Sequence, residues 1–280
     1  MNYTSKIIKP QSSYFNLNLK SVWQYRDLLF IFVKRDYQAS YKQTILGPLW
    51  HIIQPIFPTL MFTFVFGKIA KISTDGLPQP LFYLSGLIIW NYFTDCFSRT
   101  SSVFVSNAGI FGKVYFPRLV TPLSYIISSL MRFTSQFILF LIIYFYYIFF
   151  YQLKIEINYV IFLFPYLIVL IAGYALGMGL IVSSLSSKYR DLSILLGFFV
   201  GLLQYATCII YPISAVPEKY QFIVKANPLT PILETFRYGF LGKGNFTPIS
   251  LIYSSLMMII LVFFGILSFN KVERNVMDTV

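Results

Sequence analysis

Acidic side chains are scarce in this sequence. Ten Asp and Glu stand against 22 Lys and Arg, and charged residues of both signs make up 11 % of the 280 positions. A soluble domain carries about 25 %, so a water-facing globule is excluded. With 57 % hydrophobic residues and a mean hydropathy of +0.68, the chain reads as a polytopic membrane protein. Histidine occurs once, as His51, at the start of the first apolar run, where it reads as an interfacial residue rather than a ligand. The two cysteines, Cys96 and Cys208, fall inside apolar runs and read as small packing residues. No disulfide and no metal site is expected.

Chemistry-bearing motifs are missing too. There is no G-x-x-x-x-G-K-[ST], so ATP is not bound in the P-loop manner, and there is no H-E-x-x-H. A serine nucleophile would find only His51 as its base. The intramembrane acids are Asp95 and Glu234, thin material for general acid–base work. A membrane-embedded glycosyl or acyl transferase acting on lipid-linked substrates is therefore the weaker reading. A gradient-driven transporter would favour internal repeats and acids or histidines on its path, and the sequence shows no clear repeat and few such groups.

Long apolar runs are abundant. They place six spans at about 50–66, 81–105, 119–150, 159–185, 192–210 and 249–269, within a membrane domain of 46–270. Residues 1–20 and 271–280 are polar tails. The start holds no apolar h-region, so the N-terminus is expected to stay in the cytoplasm. Over 21–45, Val22, Tyr25, Leu29, Phe32 and Val33 recur at helical spacing, with Arg26, Asp27, Lys34 and Arg35 on other faces. That is a basic amphipathic helix, lying in the membrane interface or solvated in the cytoplasm. Pro55 and Pro58 predict a kink in the first span. Gly173, Gly177 and Gly179 predict a packing face on the fourth. With both termini inside, thirteen Lys and Arg fall on cytoplasmic segments and seven on external ones, as the positive-inside rule asks. The net charge of +12 is scattered between apolar runs, which suits orientation and anionic headgroups, not nucleic acid.

Three charges fall inside spans, where each costs about 2.5–3.5 kcal/mol if left facing lipid. Asp95 and Arg99 are four apart, acid first, and are expected to pair with each other. Arg132 has no acid three or four positions away, and Glu234 is the expected partner.

The stretch at 211–244 is neither span nor loop. Pro212, Pro217, Pro228 and Pro231 interrupt it, six charges dot it, and Phe222, Leu229, Leu233, Phe236 and Phe240 keep it apolar. Two short helices broken at Asn227-Pro228 are predicted. They form a re-entrant hairpin beside a pathway, because broken backbone survives at membrane depth only inside protein or against a water-filled cavity. The alternative is an amphipathic loop lying on the outer surface.

Four blocks, in order, resemble one family. They are Arg35-Asp36 and Tyr41 with Leu46-Gly47-Pro48-Leu49-Trp50, Pro55 and Phe66-Gly67; Ser85 through Phe93 (SGLIIWNYF); Ser106-Asn107-Ala108 with Lys113-Val114-Tyr115-Phe116-Pro117-Arg118; and Tyr189-Arg190-Asp191 with Tyr211-Pro212, Val216 through Tyr220, Asn227-Pro228-Leu229-Thr230 and Phe236-Arg237. The chain resembles the permease subunits of ABC-2 type polysaccharide exporters, which move O-antigen, capsule or teichoic acid chains, over about residues 26–270. The resemblance implies an all-α integral membrane fold with six transmembrane helices, an N-terminal interface helix and an external helical hairpin before the last span. It implies a homodimer in the cytoplasmic (inner) membrane, bound to two copies of a separate ATPase subunit that carries the ATP and Mg, and a lipid-linked polysaccharide as cargo.

Residue roles follow as expectations. A sliding glycan needs weak, repeated sites, which aromatic faces supply. Phe62, Phe64, Phe66, Tyr92, Phe93, Phe97, Phe198, Phe199 and Tyr205 are candidate channel residues, the alternative for each being a lipid-facing or core-packing side chain. Arg26, Lys34 and Arg35 are candidates for the carrier pyrophosphate at the entrance, or simply for anionic headgroups. Asn107, Lys113, Tyr115, Phe116, Pro117 and Arg118 are expected at the ATPase coupling surface. Pro217, Asn227, Pro228, Glu234 and Arg237 are expected in an external gate.

Overall fold

The computed structural model describes residues 19–42, 44–114, 116–189 and 191–277, and these are helical with no strand. The helices are α1 (Leu19–Gln24), α2 (Arg26–Tyr41), α3 (Trp50–Phe62), α4 (Gln79–Ser101), α5 (Val103–Ser106), α6 (Ala108–Phe111), α7 (Val120–Tyr151), α8 (Phe164–Ser186), α9 (Leu192–Ala206), α10 (Glu218–Ala226), α11 (Thr230–Leu241) and α12 (Pro248–Met277). The expected polar tails lie largely outside the described residues, as do Tyr115 and Arg190.

Four segments are long and apolar enough to cross a membrane: Gly47–Ile69, Val120–Tyr151, Tyr159–Ser186 and Pro248–Glu273. The other two predicted spans depart from that description for different reasons. Helix α4 has the length, but it carries Asp95 and Arg99 and is the most enclosed of the long helices, with sixteen of its 23 residues buried against α3, α7 and α8. Helix α9 has only 15 residues, about 23 Å at 1.5 Å per residue. It stops at Ala206 rather than running to 210. Its last carbonyl, that of Ala206, accepts from Asn227 Nδ2 at 3.1 Å in place of a further helical N–H, and just beyond the helix the carbonyls of Ile209 and Cys208 accept from Arg237 Nη2 (2.9 Å) and Nη1.

Helix α8 lies between α4 and α12, and its glycines permit this. A Cβ on Gly177 would sit 2.7 Å from the backbone of Leu261 and Val262, and one on Gly179 would sit 2.6 Å from Thr100 Cβ of α4. The predicted packing face is thus two faces, one for each neighbour. The proline-bearing α3 stays helical through Pro55 and Pro58 and continues to Ile69 as a wider, π-type turn; the Thr59 hydroxyl donates to the Pro55 carbonyl at 2.7 Å.

Helix α2 buries Leu29, Phe32, Val33 and Asp36 against α7 and leaves Phe30 and Ile31 exposed, as α1 leaves Trp23. It sits at the end of the bundle where α4 finishes and α7 starts. The helices α10 and α11 sit at the opposite end.

Candidate functional site

The hairpin is asymmetric. On α10 only Val224 is buried, whereas on α11 every residue but Tyr238 is. The enclosure is aromatic. Phe236 and Phe240 (4.6 Å apart) meet Phe140 and Phe137 of α7 and Phe164 of α8 at 5.3–5.9 Å. Part of the large phenylalanine content is therefore internal packing that seats this short helix.

A fully buried guanidinium fixes α11 in place. Arg237, 1 % exposed, lies 3.7 Å above the Phe82 ring and donates to Ser85 Oγ (3.3 Å) and the carbonyls of Phe82 (3.4 Å), Ile209 (2.9 Å) and Cys208. Glu234, one turn earlier, sits 3.5 Å from it, and its other oxygen accepts the Asn245 N–H at 2.9 Å. One residue thus ties α11 to α4 and to the chain beyond α9. The break between α10 and α11 is equally specified. Asn227 Oδ1 accepts the Leu229 N–H (3.0 Å), while its Nδ2 donates to Ala206 O and to Thr207 Oγ1 (2.9 Å). The Pro228 and Ala226 carbonyls accept from Ser254 (2.8 Å) and Tyr253 (2.9 Å) of α12. Among the expected gate residues, Asn227 and Pro228 form the hinge and Pro217 precedes α10. Glu234 and Arg237 are enclosed in the protomer, not presented to a passage.

At the other end, charges converge from three helices, α2, α4 and α7. Asp95 of α4 pairs with Arg132 of α7 at 3.0 Å. Arg99, one turn further along α4, donates to Ser128 Oγ of α7 (3.0 Å), stacks over Tyr125 (5.4 Å) and lies 3.8 Å from Asp36 of α2. Asp36 is already held by Arg35 at 2.8 and 3.0 Å. Both pairings expected from the sequence are corrected here. Asp95 pairs with Arg132 and Arg99 bonds Ser128, so the two do not pair with each other, and Glu234 is taken by Arg237 rather than Arg132. The rings of Tyr41 and His51 meet edge to face at 5.2 Å beside this group. Burial, with Tyr37 alongside, raises the Tyr41 phenol, and Arg132 opposes the rise. Of the predicted entrance cations, Arg26 and Lys34 are exposed on α2, while Arg35 is half-buried on Asp36.

Residues 102–118 fold as two one-turn helices, α5 and α6, and a loop. Asn107 is buried and donates to Tyr125 OH at 2.7 Å. Phe116 packs edge-on against Phe32 (5.6 Å). Arg118 lies over Phe111 and reaches the carboxylate (4.0 Å) and carbonyl (3.3 Å) of Glu273 on α12; burial lowers its guanidinium and Glu273 opposes that. These three are framework. The surface they hold outward is Val105, Ala108, Gly109, Gly112, Lys113 and Val114. Of the residues expected at the coupling surface, Lys113 is exposed, Asn107, Phe116 and Arg118 are buried, Pro117 is half-buried, and Tyr115 lies outside the described residues.

Of the nine aromatics, Phe64, Phe198, Phe199 and Tyr205 are exposed on α3 and α9, and Phe62 and Phe66 are half-buried. Tyr92, Phe93 and Phe97 are 1–3 % exposed. Tyr92 packs on Phe133 and Phe93 stacks on Phe97. The expectation that these three line a channel is corrected: their faces are used up inside one chain.

Residues 27–241 match the sequence profile of the ABC-2 type transporter family. The chain belongs to this family. The match runs from the start of α2 to the end of α11, so it takes in both the charged cluster and the buried half of the hairpin. Among similar ABC-2 members, an O-antigen export system permease protein RfbA of Klebsiella pneumoniae is 27 % identical over 88 % of this chain and 92 % of its own length. A protein of the same name from Myxococcus xanthus is 23 % identical over 78 % and 82 %. The polysialic acid transport protein KpsM of Escherichia coli is 24 % identical over 88 % and 93 %. The ABC-2 membership, with four long apolar helices, makes the chain a multi-pass membrane transporter subunit.

Proposed function

We propose that this chain is the non-catalytic permease subunit of an ABC exporter that carries lipid-linked polysaccharide, of the O-antigen or capsule class, out across the cytoplasmic membrane. The observation that carries the reading is the near full-length similarity to relatives named for O-antigen export and polysialic acid transport. Two copies of the chain flank the passage, and two copies of a separate ATPase, holding ATP and Mg, dock on the exposed rim around Lys113. Both termini face the cytoplasm. Six helices cross the membrane. Helix α4 is able to do so because Asp95 is paired with Arg132 of α7 and Arg99 lies near the helix end, and α9 because the chain beyond it is carried on by the hairpin.

The hairpin dips into the bilayer from outside. Ser254, which holds its hinge, is six residues along α12 from Pro248, about 9 Å inside that end. The hinge at Asn227-Pro228 serves as the outer gate, and the exposed aromatics of α3 and α9 stack loosely on passing sugars.

Deleting the gene in its host tests this. Surface polysaccharide should vanish from immunoblots while lipid-linked glycan accumulates inside, and both should reverse on re-expression. Unchanged surface glycan with no internal accumulation refutes the proposal.

A further inference from the structure

The charged cluster between α2, α4 and α7 is not neutral. Arg35, Arg99 and Arg132 face only two carboxylates, Asp36 and Asp95, among the described residues of the cluster. Arg35 holds Asp36 through two hydrogen bonds and Arg132 holds Asp95. The surplus cation is Arg99. Its one hydrogen bond goes to a neutral hydroxyl, Ser128; Arg35 holds Asp36 through Oδ1, and the Oδ2 that faces Arg99 stands 3.8 Å off and makes no hydrogen bond. Its side chain is 26 % exposed, so it reaches the surface of the chain. Beside it is a further donor in want of an acceptor: Arg132 Nη2 makes no hydrogen bond.

We infer that Arg99, flanked by Arg132, is a binding site for the phosphate headgroup of a lipid. An unmatched guanidinium within a membrane domain calls for an anion, and its planar fork of donors matches phosphate oxygens two at a time. Basic pockets between transmembrane helices at the cytoplasmic face take phosphate headgroups in this way. The height fits: Arg99 is two residues from the end of α4, about 3 Å, level with α2, whose exposed Phe30 and Ile31 mark the interface with Trp23 of α1. The site differs from the exposed cations Arg26 and Lys34, which have no enclosing walls. The phosphate can belong to a bilayer phospholipid or to a polyprenyl carrier. Only the second source rests on the exporter reading.

The test uses the full-length protein purified with any ATPase that accompanies it. Arginines are modified with phenylglyoxal and mapped by peptide mass spectrometry, with phosphatidylcholine, phosphatidylglycerol or a polyprenyl monophosphate added. Arg99 should be protected at least fivefold by a phosphate monoester or glycerol headgroup lipid and not by phosphatidylcholine, while Arg26 stays reactive throughout. Protection by the polyprenyl lipid alone assigns the carrier; protection by phosphatidylglycerol as well, or alone, assigns a bilayer headgroup. Native mass spectrometry supplies the second arm. Arg99→Gln leaves the cluster neutral, so it should fold and lose at least tenfold in lipid-phosphate adducts, with Arg99→Lys keeping most of them. Equal Arg99 reactivity in all three lipids, or undiminished adducts in Arg99→Gln, overturns the site. Neither result touches the export assay, so the two readings fail separately.

Discussion

Replacing Arg237 by methionine should be among the most damaging single changes outside the long helices. Methionine fills similar volume, so the loss is polar. It strands the Glu234 carboxylate, 2 % exposed, with the Asn245 N–H as its remaining partner, and it leaves the carbonyls of Cys208 and Ile209 without their donor. Breaking one side of a buried ion pair costs about 3–5 kcal/mol, and each orphaned buried acceptor adds about 1–3 kcal/mol. The shared site makes these less than additive, so a total of about 4–6 kcal/mol is expected. The double variant Glu234→Gln, Arg237→Met removes the stranded charge and should regain about 2 kcal/mol or more. Purified variants in detergent, unfolded by heat and followed by tryptophan fluorescence, give the comparison. If Arg237→Met melts within about a degree of the parent, the guanidinium is not fixing α11. If the double variant is no better than the single one, the orphaned carboxylate is not the cause.

Three further outcomes follow from the packing. Gly177→Val should destabilise by about 1–3 kcal/mol, since its side chain meets the α12 backbone, whereas Gly201→Ala on α9, with open space around it, should be neutral or stabilising by up to about 1 kcal/mol; thermal melts separate them. Phe93→Ala should lower stability by about 3–5 kcal/mol, while Phe198→Ala and Tyr205→Ala should leave melting unchanged and shorten or reduce exported glycan on gels. Cysteines at Lys113 and Val114 should crosslink to the ATPase subunit, and a cysteine at Asn107, buried beneath them, should not.

Hydropathy found the helices because burial in lipid and burial in protein look alike in composition. For the same reason it misjudged α4 and α9. The α4 run reads as an ordinary span, yet its environment is other helices, so Tyr92, Phe93 and Phe97 pack inward where a channel was expected. The end of α9 was illegible because what takes its last carbonyl, Asn227, arrives from 21 residues downstream. The hinge itself was legible, since Asn-Pro carries its own turn chemistry. Ion pairing was the weakest inference. The i,i+4 rule favours Asp95 with Arg99, but cross-helix partners at 3.0 Å outcompete a local pair worth about 0.2–0.5 kcal/mol in isolated helices. One signal for the correct answer was present. Arg132 needed an acid, and Asp95 on a neighbouring span was as available as Glu234.

Helix α12 is anchored at both of its ends to the parts that should move. Near its finish, Glu273 holds Arg118 and Phe269 stacks on Phe104 at 4.6 Å, so the 102–118 segment rides on it. Near its start, Ser254 and Tyr253 hold the carbonyls of the hairpin hinge. Between them, the close contact of Gly177 with Gly265 keeps α12 against α8. Thirty helical residues span about 45 Å, and a packed helix transmits a displacement rather than absorbing it, because close-packed interiors are stiff. A push on the segment at one end should therefore be felt at the hinge. The expected outcome is specific. With a cysteine at Pro217, labelling from outside should change when nucleotide is added. Glu273→Ala should shrink that change without lowering ATP hydrolysis, and Ser254→Ala should shrink it in the same way from the other end. Labelling that still responds fully in both variants would mean that the signal reaches the hinge by another helix, and α12 would then be only a wall.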